Sequence, residues 1–285
     1  MKKLLFQLDT DPQPSVFDSV VAYDGGADHV IGHANVNPDN VTPLVEGAIF
    51  TRSPKEKKNT ALFIGGSNMA AGEALLEAVR QQFFDGFRVS VMLDSNGSNT
   101  TAAAAVARLL GSGPLAGKKA VILGGTGPVG LRAAVMLHQE GAEVYLVSRD
   151  QGRAQQACDA VNDRFQVAVT GLGATTDEER AACVADANVI VATGAAGVQL
   201  LAQQHWQDNP NIEMLADANA TPPLGIEGVD MLDRGEQRHG KVCWGAIGFG
   251  TLKLALHRAC IAKLFTSHDQ ILDAEEIFAL AKSMT

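Results

Sequence analysis

Aromatic side chains are scarce in this 285-residue chain, and only two of them are tyrosines, Tyr23 and Tyr145. Four positions beyond these stand Ala27 and Arg149, so no Tyr-x-x-x-Lys pair exists. Cysteine is sparse too: Cys158, Cys183, Cys243 and Cys260 form no CxxC pair. That spacing excludes zinc-ribbon and dithiol redox motifs and leaves reduced core thiols, with no metal site expected. Long apolar runs are missing. The opening MKKLLFQLDTD starts like a signal peptide, but its apolar run stops at Asp9 and reads as a strand. No segment approaches the length needed to span a bilayer, so a soluble, cytoplasmic protein is expected with no membrane partner. Positive charge is also short, with 23 Lys and Arg against 32 Asp and Glu. A net charge of −9 excludes nucleic acid as the main partner. It leaves room for one small anionic cofactor, which a helix N-terminus and a single arginine can hold.

Apolar residues and glycine are plentiful, at 46% and 29 residues, enough for a sizeable core with tight turns. Short apolar runs alternate with helical stretches. KLLFQL (3–8), HVIGHANV (29–36), TALFIGG (60–66) and FRVSVML (87–93) read as strands, with helices near 14–22 and 69–84. After a helix from about Asn99 to Leu110, GSGPLAGKK breaks the chain. A second alternation then runs through KAVILGG, EVYLVSR, FQVAVTG, NVIVATG, IEMLADAN and KVCWGAIG, and helices near 250–265 and 273–283 close the chain. The fold class expected is α/β, with two α/β domains. Residues 1–108 plus 255–285 form a substrate domain, residues 109–254 form a Rossmann-type doubly wound parallel sheet, and a cleft lies between them.

The most specific motif is Gly124-Gly125-Thr126-Gly127-Pro128-Val129-Gly130 between an apolar strand and a helix. Gly125, Gly127 and Gly130 fit GxGxxG. Gly125 would allow the tight turn, Gly127 the approach of a pyrophosphate and Gly130 close helix–strand packing. Pro128 wastes no N–H at a helix start. The next strand ends Val147-Ser148-Arg149, where an NAD site would carry an acid. A hydroxyl and a guanidinium suit a 2′-phosphate, with Arg153 four residues on, so NADP is expected and NAD remains open. Thr193 and Gly194 end a further strand where the nicotinamide ribose would lie. Asn219 follows Asp217 at another strand end, either lining the same edge or serving the turn.

DSNGSNTT (94–101) packs hydroxyl and amide side chains where a strand becomes a helix. Ser98 or Asn99 can cap that helix, yet one cap needs fewer polar residues, so Asn99, Thr100 and Thr101 also suit a wall that hydrogen-bonds a polar heterocycle. In GFGTLKLALHRACIAKLF, Lys253 and His257 are four apart and share a helical face, as a catalytic pair or as a solvated stripe with Arg258 and Lys263. Phe17 near the first helix can stack on a flat ring, though composition alone favours a core position.

FQLDTDPQPSVFDSVVAYDGGADH, MLDSNGSNTTAAA, GGTGPVG, PPLGIEGVD and LKLALHRACIAKLF together resemble the NAD(P)-dependent methylene-tetrahydromethanopterin dehydrogenase family of methylotrophic bacteria. The resemblance runs from Lys2 to the DAEEIFALAKSM tail. It implies hydride transfer from the methylene carbon of methylene-tetrahydromethanopterin to NAD(P), giving the methenyl compound, in formaldehyde oxidation. It also implies a homo-oligomer in which a neighbour completes the cleft. Phe17 would stack against the pterin, Thr101 would contact it, and Lys253 and His257 would lie beside the reacting centre. Some relatives carry a basic residue where this chain has Asp150. Two alternatives stand beside this: an NADP-dependent methylene-tetrahydrofolate dehydrogenase, and a non-enzymatic NADP sensor needing none of those four residues. Folate enzymes that are also cyclohydrolases use the Tyr-x-x-x-Lys pair, so no cyclohydrolase activity is expected.

Overall fold

Leu4–Asp9 forms the first strand, β1, of a computed structural model that describes all 285 residues. The chain divides into two compact units, Met1–Thr100 with Leu254–Leu280, and Thr101–Lys253 with Ala281–Thr285.

In the first unit, α1 (Val16–Asp24), β2 (His29–His33), α2 (Thr42–Phe50), β3 (Thr60–Gly65), α3 (Met69–Gln81) and β4 (Ser90–Leu93) follow β1, and the chain leaves along α4 (Ser98–Ser112). β3 and β4 are apolar runs buried along their whole length, as strands covered on both faces must be. Ser15 starts α1 by accepting the Asp18 amide, and Asn68 starts α3 by accepting that of Ala71. Leu8, Leu62, Ile64, Val91 and Leu93 pack with Val45, Ile49, Leu75 and Val79 of α2 and α3. The helix at 42–50 carries no periodic sequence signal. Its nine residues are apolar on most sides, so no 3.6-residue stripe marks it.

In the second unit, β5 (Lys119–Leu123), α5 (Pro128–Gln139), β6 (Glu143–Ser148), α6 (Gln151–Phe165), β7 (Val169–Gly173), α7 (Asp177–Val184), β8 (Val189–Ala192) and β9 (Met214–Asp217) precede the hairpin of β10 (Arg234–Arg238) and β11 (Lys241–Gly245). Its sheet runs β10-β11-β9-β8-β5-β6-β7, parallel apart from the β10–β11 pair. From β7 to β11 this is the doubly wound order of dinucleotide-binding sheets, reversing between β5 and β8.

α8 (Ala246–Leu264) starts directly after Gly245, four residues before the expected 250, and brings the chain back to the first unit. β12 (Ile271–Leu272) then pairs with β4, completing an all-parallel sheet of order β12-β4-β3-β1-β2, and α9 (Ala274–Lys282) follows. The strand order of this first sheet reverses between β1 and β3. No helix is long and apolar enough to cross a membrane.

Candidate functional site

The glycine turn stands at the reversal point of the second sheet, between the ends of β5 and β8. Its left-handed residue is Gly124, with φ +66°, and not Gly125 as the motif suggested. Gly125 is needed for a different reason: a Cβ there would lie 2.7 Å from Leu146 Cγ. A Cβ on Gly130 would meet the Gly125 carbonyl oxygen at 2.4 Å, so only glycine lets α5 seat against the turn. At Gly127, by contrast, nothing lies within 4 Å of the Cβ position. That open space sits at the start of α5, whose first residue is Pro128, where helix N–H groups favour an anion. Thr126, Pro128 and Val129 are half-buried around it. The arrangement fits a pyrophosphate.

Ser148, buried, ends β6 and Arg149, exposed, follows it beside this turn. Asp150 does not point at that position as a free acid. It caps α6, its Oδ1 accepting the Arg153 amide at 2.7 Å. The Arg153 side chain is exposed one turn into α6. Hydroxyl, guanidinium and helix start suit a phosphate better than a bare ribose.

β8 delivers Thr193, whose hydroxyl is 3.5 Å from both the Leu123 and Gly124 carbonyl oxygens. Gly194 packs so closely that a Cβ on Gly124 would fall 2.7 Å from its Cα. The turns after β5 and β8 are therefore one packed surface. Asn219 is largely enclosed: its amide nitrogen donates to the Ala195 carbonyl at 3.2 Å, and its side-chain oxygen accepts from the Thr221 amide. It ties the β9 turn to the β8 turn. Asp217 is fully buried and accepts the Asn219 and Ile226 amides at 2.9 and 2.7 Å. Burial pushes its carboxyl above the usual range, against these backbone donors, which lower it.

In the first unit, the ends of β1, β3 and β4 gather a second group. Phe17 leaves the first turn of α1 and is 48% exposed, which corrects the core position composition favoured. Its ring centre lies 6.4 Å from that of His257. His257 is fully buried on α8 and stacks on Phe63, with centroids 5.5 Å apart and planes at 22°. The wholly solvated stripe is thereby excluded for His257. Lys253, one turn earlier on the same face, is half-buried.

The polar stretch turned out to serve the interior. Asn99 and Thr100 are fully buried. Asn99 donates to the Leu93 carbonyl at 2.7 Å and to Asp273 at 3.0 Å, while Thr100 donates to Asp94. The helix cap is Asp94, which accepts the Thr100 amide, and not Ser98 or Asn99. Internal hydrogen bonds thus engage both Asn99 and Thr100. Thr101 is half-buried. The sequence assigns no role to Asp94, Phe63 or Asp9. Asp9 is buried and accepts the amides of Asp11 and Ser15, which anchors the start of α1 beneath Phe17. A lone acid at the end of an apolar strand was the available signal for both aspartates.

Burial pushes the Cys158 thiol up to about 11 and the Cys243 thiol up to about 12, so both stay protonated near neutrality.

Residues 16–96 match the family model described as the N-terminal part of methylene-tetrahydromethanopterin dehydrogenase. The chain is 57% identical over 285 residues to the bifunctional protein MdtA of Methylorubrum extorquens, covering 99% of each chain. It is 31% identical over 290 residues to the NAD(P)-dependent methylenetetrahydromethanopterin dehydrogenase of the same organism, covering 98% of each. Among solved structures, quinate dehydrogenase from Corynebacterium glutamicum in complex with NAD shares 13% identity at a TM-score of 0.54 over 99% of both chains. Shikimate 5-dehydrogenase from Listeria monocytogenes gives 15% and 0.54 over 98% of this chain and 96% of its own. These last two likenesses concern the fold alone.

Proposed function

The chain belongs to the methylene-tetrahydromethanopterin dehydrogenase family, and from that premise we propose that it oxidises a methylene-tetrahydropterin with NADP. The observation that carries the cofactor half is the open Gly127 position at the start of α5, flanked by Ser148 and Arg149 where an NAD site carries an acid. The second unit is the nucleotide domain. Gly125, Thr126, Gly127, Pro128, Val129 and Gly130 hold the pyrophosphate, Ser148, Arg149 and Arg153 the 2′-phosphate, and Thr193 and Gly194 the nicotinamide ribose. Asn219 supports that edge from beneath.

The first unit holds the substrate, with Phe17 and His257 inside its bounds and Thr101 and Lys253 each one residue beyond them along the chain. Phe17 offers an exposed ring face for the pterin to stack on. Thr101 supplies a hydroxyl to it. Lys253 and His257, stacked along α8, lie beside the reacting carbon. The bound nicotinamide supplies the hydride acceptor. The methylene carbon loses a hydride and becomes a methenyl cation stabilised by its two nitrogens. No proton leaves in that step, so the residues orient, tune charge and exclude water. Lys253 acts as a fixed point charge whose position matters more than its proton.

Tetrahydromethanopterin is the proposed carrier, with tetrahydrofolate as the second reading, supported by the word bifunctional in the name of the 57% identical relative. We further propose a homo-oligomer, supported by the exposed rings of Phe50, Phe84 and Phe87, and a cytoplasmic location, which suits four free thiols. The test is methenyl-pterin formation followed by absorbance with each pterin and each nucleotide. Turnover of the folate compound alone overturns the carrier assignment, and absence of turnover with any pair overturns the enzyme.

A further inference from the structure

Asp94, the residue after β4, is fully buried beside the candidate substrate residues. Its Oδ1 accepts the Thr100 amide at 3.0 Å and its Oδ2 accepts the Thr100 hydroxyl at 2.6 Å. The same Oδ2 lies 3.9 Å from Nδ1 of His257, and both side chains are wholly enclosed. Phe63 covers one face of that imidazole.

We propose that Asp94 is a positioning residue for His257, fixing the imidazole as its Nδ1–H tautomer and so placing the lone pair on Nε2. Thr100 in turn fixes the carboxylate. A separation of 3.9 Å exceeds a hydrogen bond, so the influence is through space. In an enclosed, weakly polar setting it is strong, because the field of a charge is little screened there. An N–H dipole aimed at Oδ2 is favoured, and a lone pair aimed at it is repelled. Around the group stand Asp9 from β1 and Asp18 from α1. Their carboxylate oxygens lie 3.2 and 3.6 Å from the Cβ position of Gly65, two residues beyond Phe63. On α8 itself, Lys253 stands one turn before His257, and Cys260 follows within the next turn. Asp94 Oδ2 addresses a specific ring nitrogen, Nδ1.

The consequence for recognition rests on the reading that His257 adjoins the pterin. A lone pair on Nε2 makes His257 an acceptor for a pterin N–H. The Nε2–H tautomer would instead present a donor and reject the same group. The buried Thr100 hydroxyl thereby gains a role: it holds a charge that sets a tautomer.

The experiment is long-range 1H–15N correlation on the full-length protein labelled at histidine, with His257 assigned by its loss in His257→Gln. The wild type should show the Nδ1–H pattern. Asp94→Asn should shift His257 toward Nε2–H and raise the pterin KM or lower kcat by about tenfold or more, leaving NADP affinity unchanged. Thr100→Val, which deletes the hydroxyl donor at nearly constant volume, should move the same signals in the same direction even if Asp94→Asn fails to fold. Thr100→Ser should restore the wild-type pattern. An Nε2–H pattern in the wild type, or one unmoved by either variant, overturns the proposal. If the tautomer shifts as stated while the wild type oxidises no methylene-pterin, the positioning relation stands and the enzymatic reading fails.

Discussion

Asp150 Oδ1 accepts the Arg153 amide at 2.7 Å, so the acid that follows Arg149 is engaged as the cap of α6. A carboxylate held by a helix N-terminus competes little for Arg149, and the guanidinium stays available to an anion. Arg149→Ala should therefore raise the KM for NADP by about 10- to 100-fold, the worth of a charge-assisted hydrogen bond or two, and leave that for NAD nearly unchanged. Asp150→Asn keeps a capping oxygen and removes the charge, so it should lower the KM for NADP without loss of stability. Steady-state kinetics with both nucleotides decide the matter. Equal effects of Arg149→Ala on NAD and NADP would take the 2′-phosphate away from this arginine.

Gly127 and Gly130 should respond in opposite ways to one added methyl group. At Gly127 the space around a Cβ is open, so Gly127→Ala should fold with an unchanged melting temperature yet bind NADP weakly, because the methyl occupies the pyrophosphate's approach. At Gly130 the Cβ would fall 2.4 Å from the Gly125 carbonyl oxygen and 2.6 Å from the Thr193 hydroxyl. Gly130→Ala should therefore destabilise the second unit by roughly 1–3 kcal/mol, as overpacking does, and disturb the turns after β5 and β8 together. Thermal unfolding beside nucleotide titration separates the two effects. An unfolding curve for Gly130→Ala identical to wild type would contradict the packing.

How much of this was readable in the residues varies with the range of the forces involved. GGTGPVG specified its surroundings because strand, turn and helix are local and each glycine answers a local crowding. Even there, the left-handed position fell on Gly124 because only coordinates show which peptide turns over. The polar stretch 94–101 showed its density but not its direction. Whether Asn99 and Thr100 face ligand or interior depends on the turn after β4, where Asn96 takes φ +55° and folds the stretch back onto Asp94. Asp94 and His257 are 163 positions apart in sequence, and their pairing needs α8 laid against the end of the first sheet. β12 escaped because two residues, Ile271 and Leu272, carry no periodicity.

Phe17 is the substrate residue that can be changed at least cost to the fold. Its ring is 48% exposed, so Phe17→Ala should shift stability by well under about 1 kcal/mol. If the pterin stacks there, the same change should raise the pterin KM by about tenfold, with NADP affinity intact. Phe17→Trp should recover most of the loss, since a larger flat face replaces the ring. Kinetics at saturating NADP supply the comparison. An unchanged pterin KM in Phe17→Ala would move the stacking site elsewhere.

Asp217 gives the second unit a characteristic pH response. Burial raises its carboxyl pKa in the folded chain, and its backbone donors only partly oppose that shift. Unfolding exposes it and returns it to the ordinary aspartate value near 3.9. Between the two values the folded chain binds more protons than the unfolded one, so stability falls as pH rises through that window. Below the window both states are protonated and the penalty is absent. Above it the penalty is complete and constant. Asp217→Asn cannot ionise. Its amide nitrogen must face the Asn219 or the Ile226 amide, so it should be less stable than wild type in acid, where Asp217 is neutral. As pH climbs from about 3.5 toward neutrality, the wild type loses its advantage and the difference narrows, then levels. Urea unfolding of both proteins across that range measures it, and a difference that widened with pH would mean that the donors, not burial, govern this carboxylate.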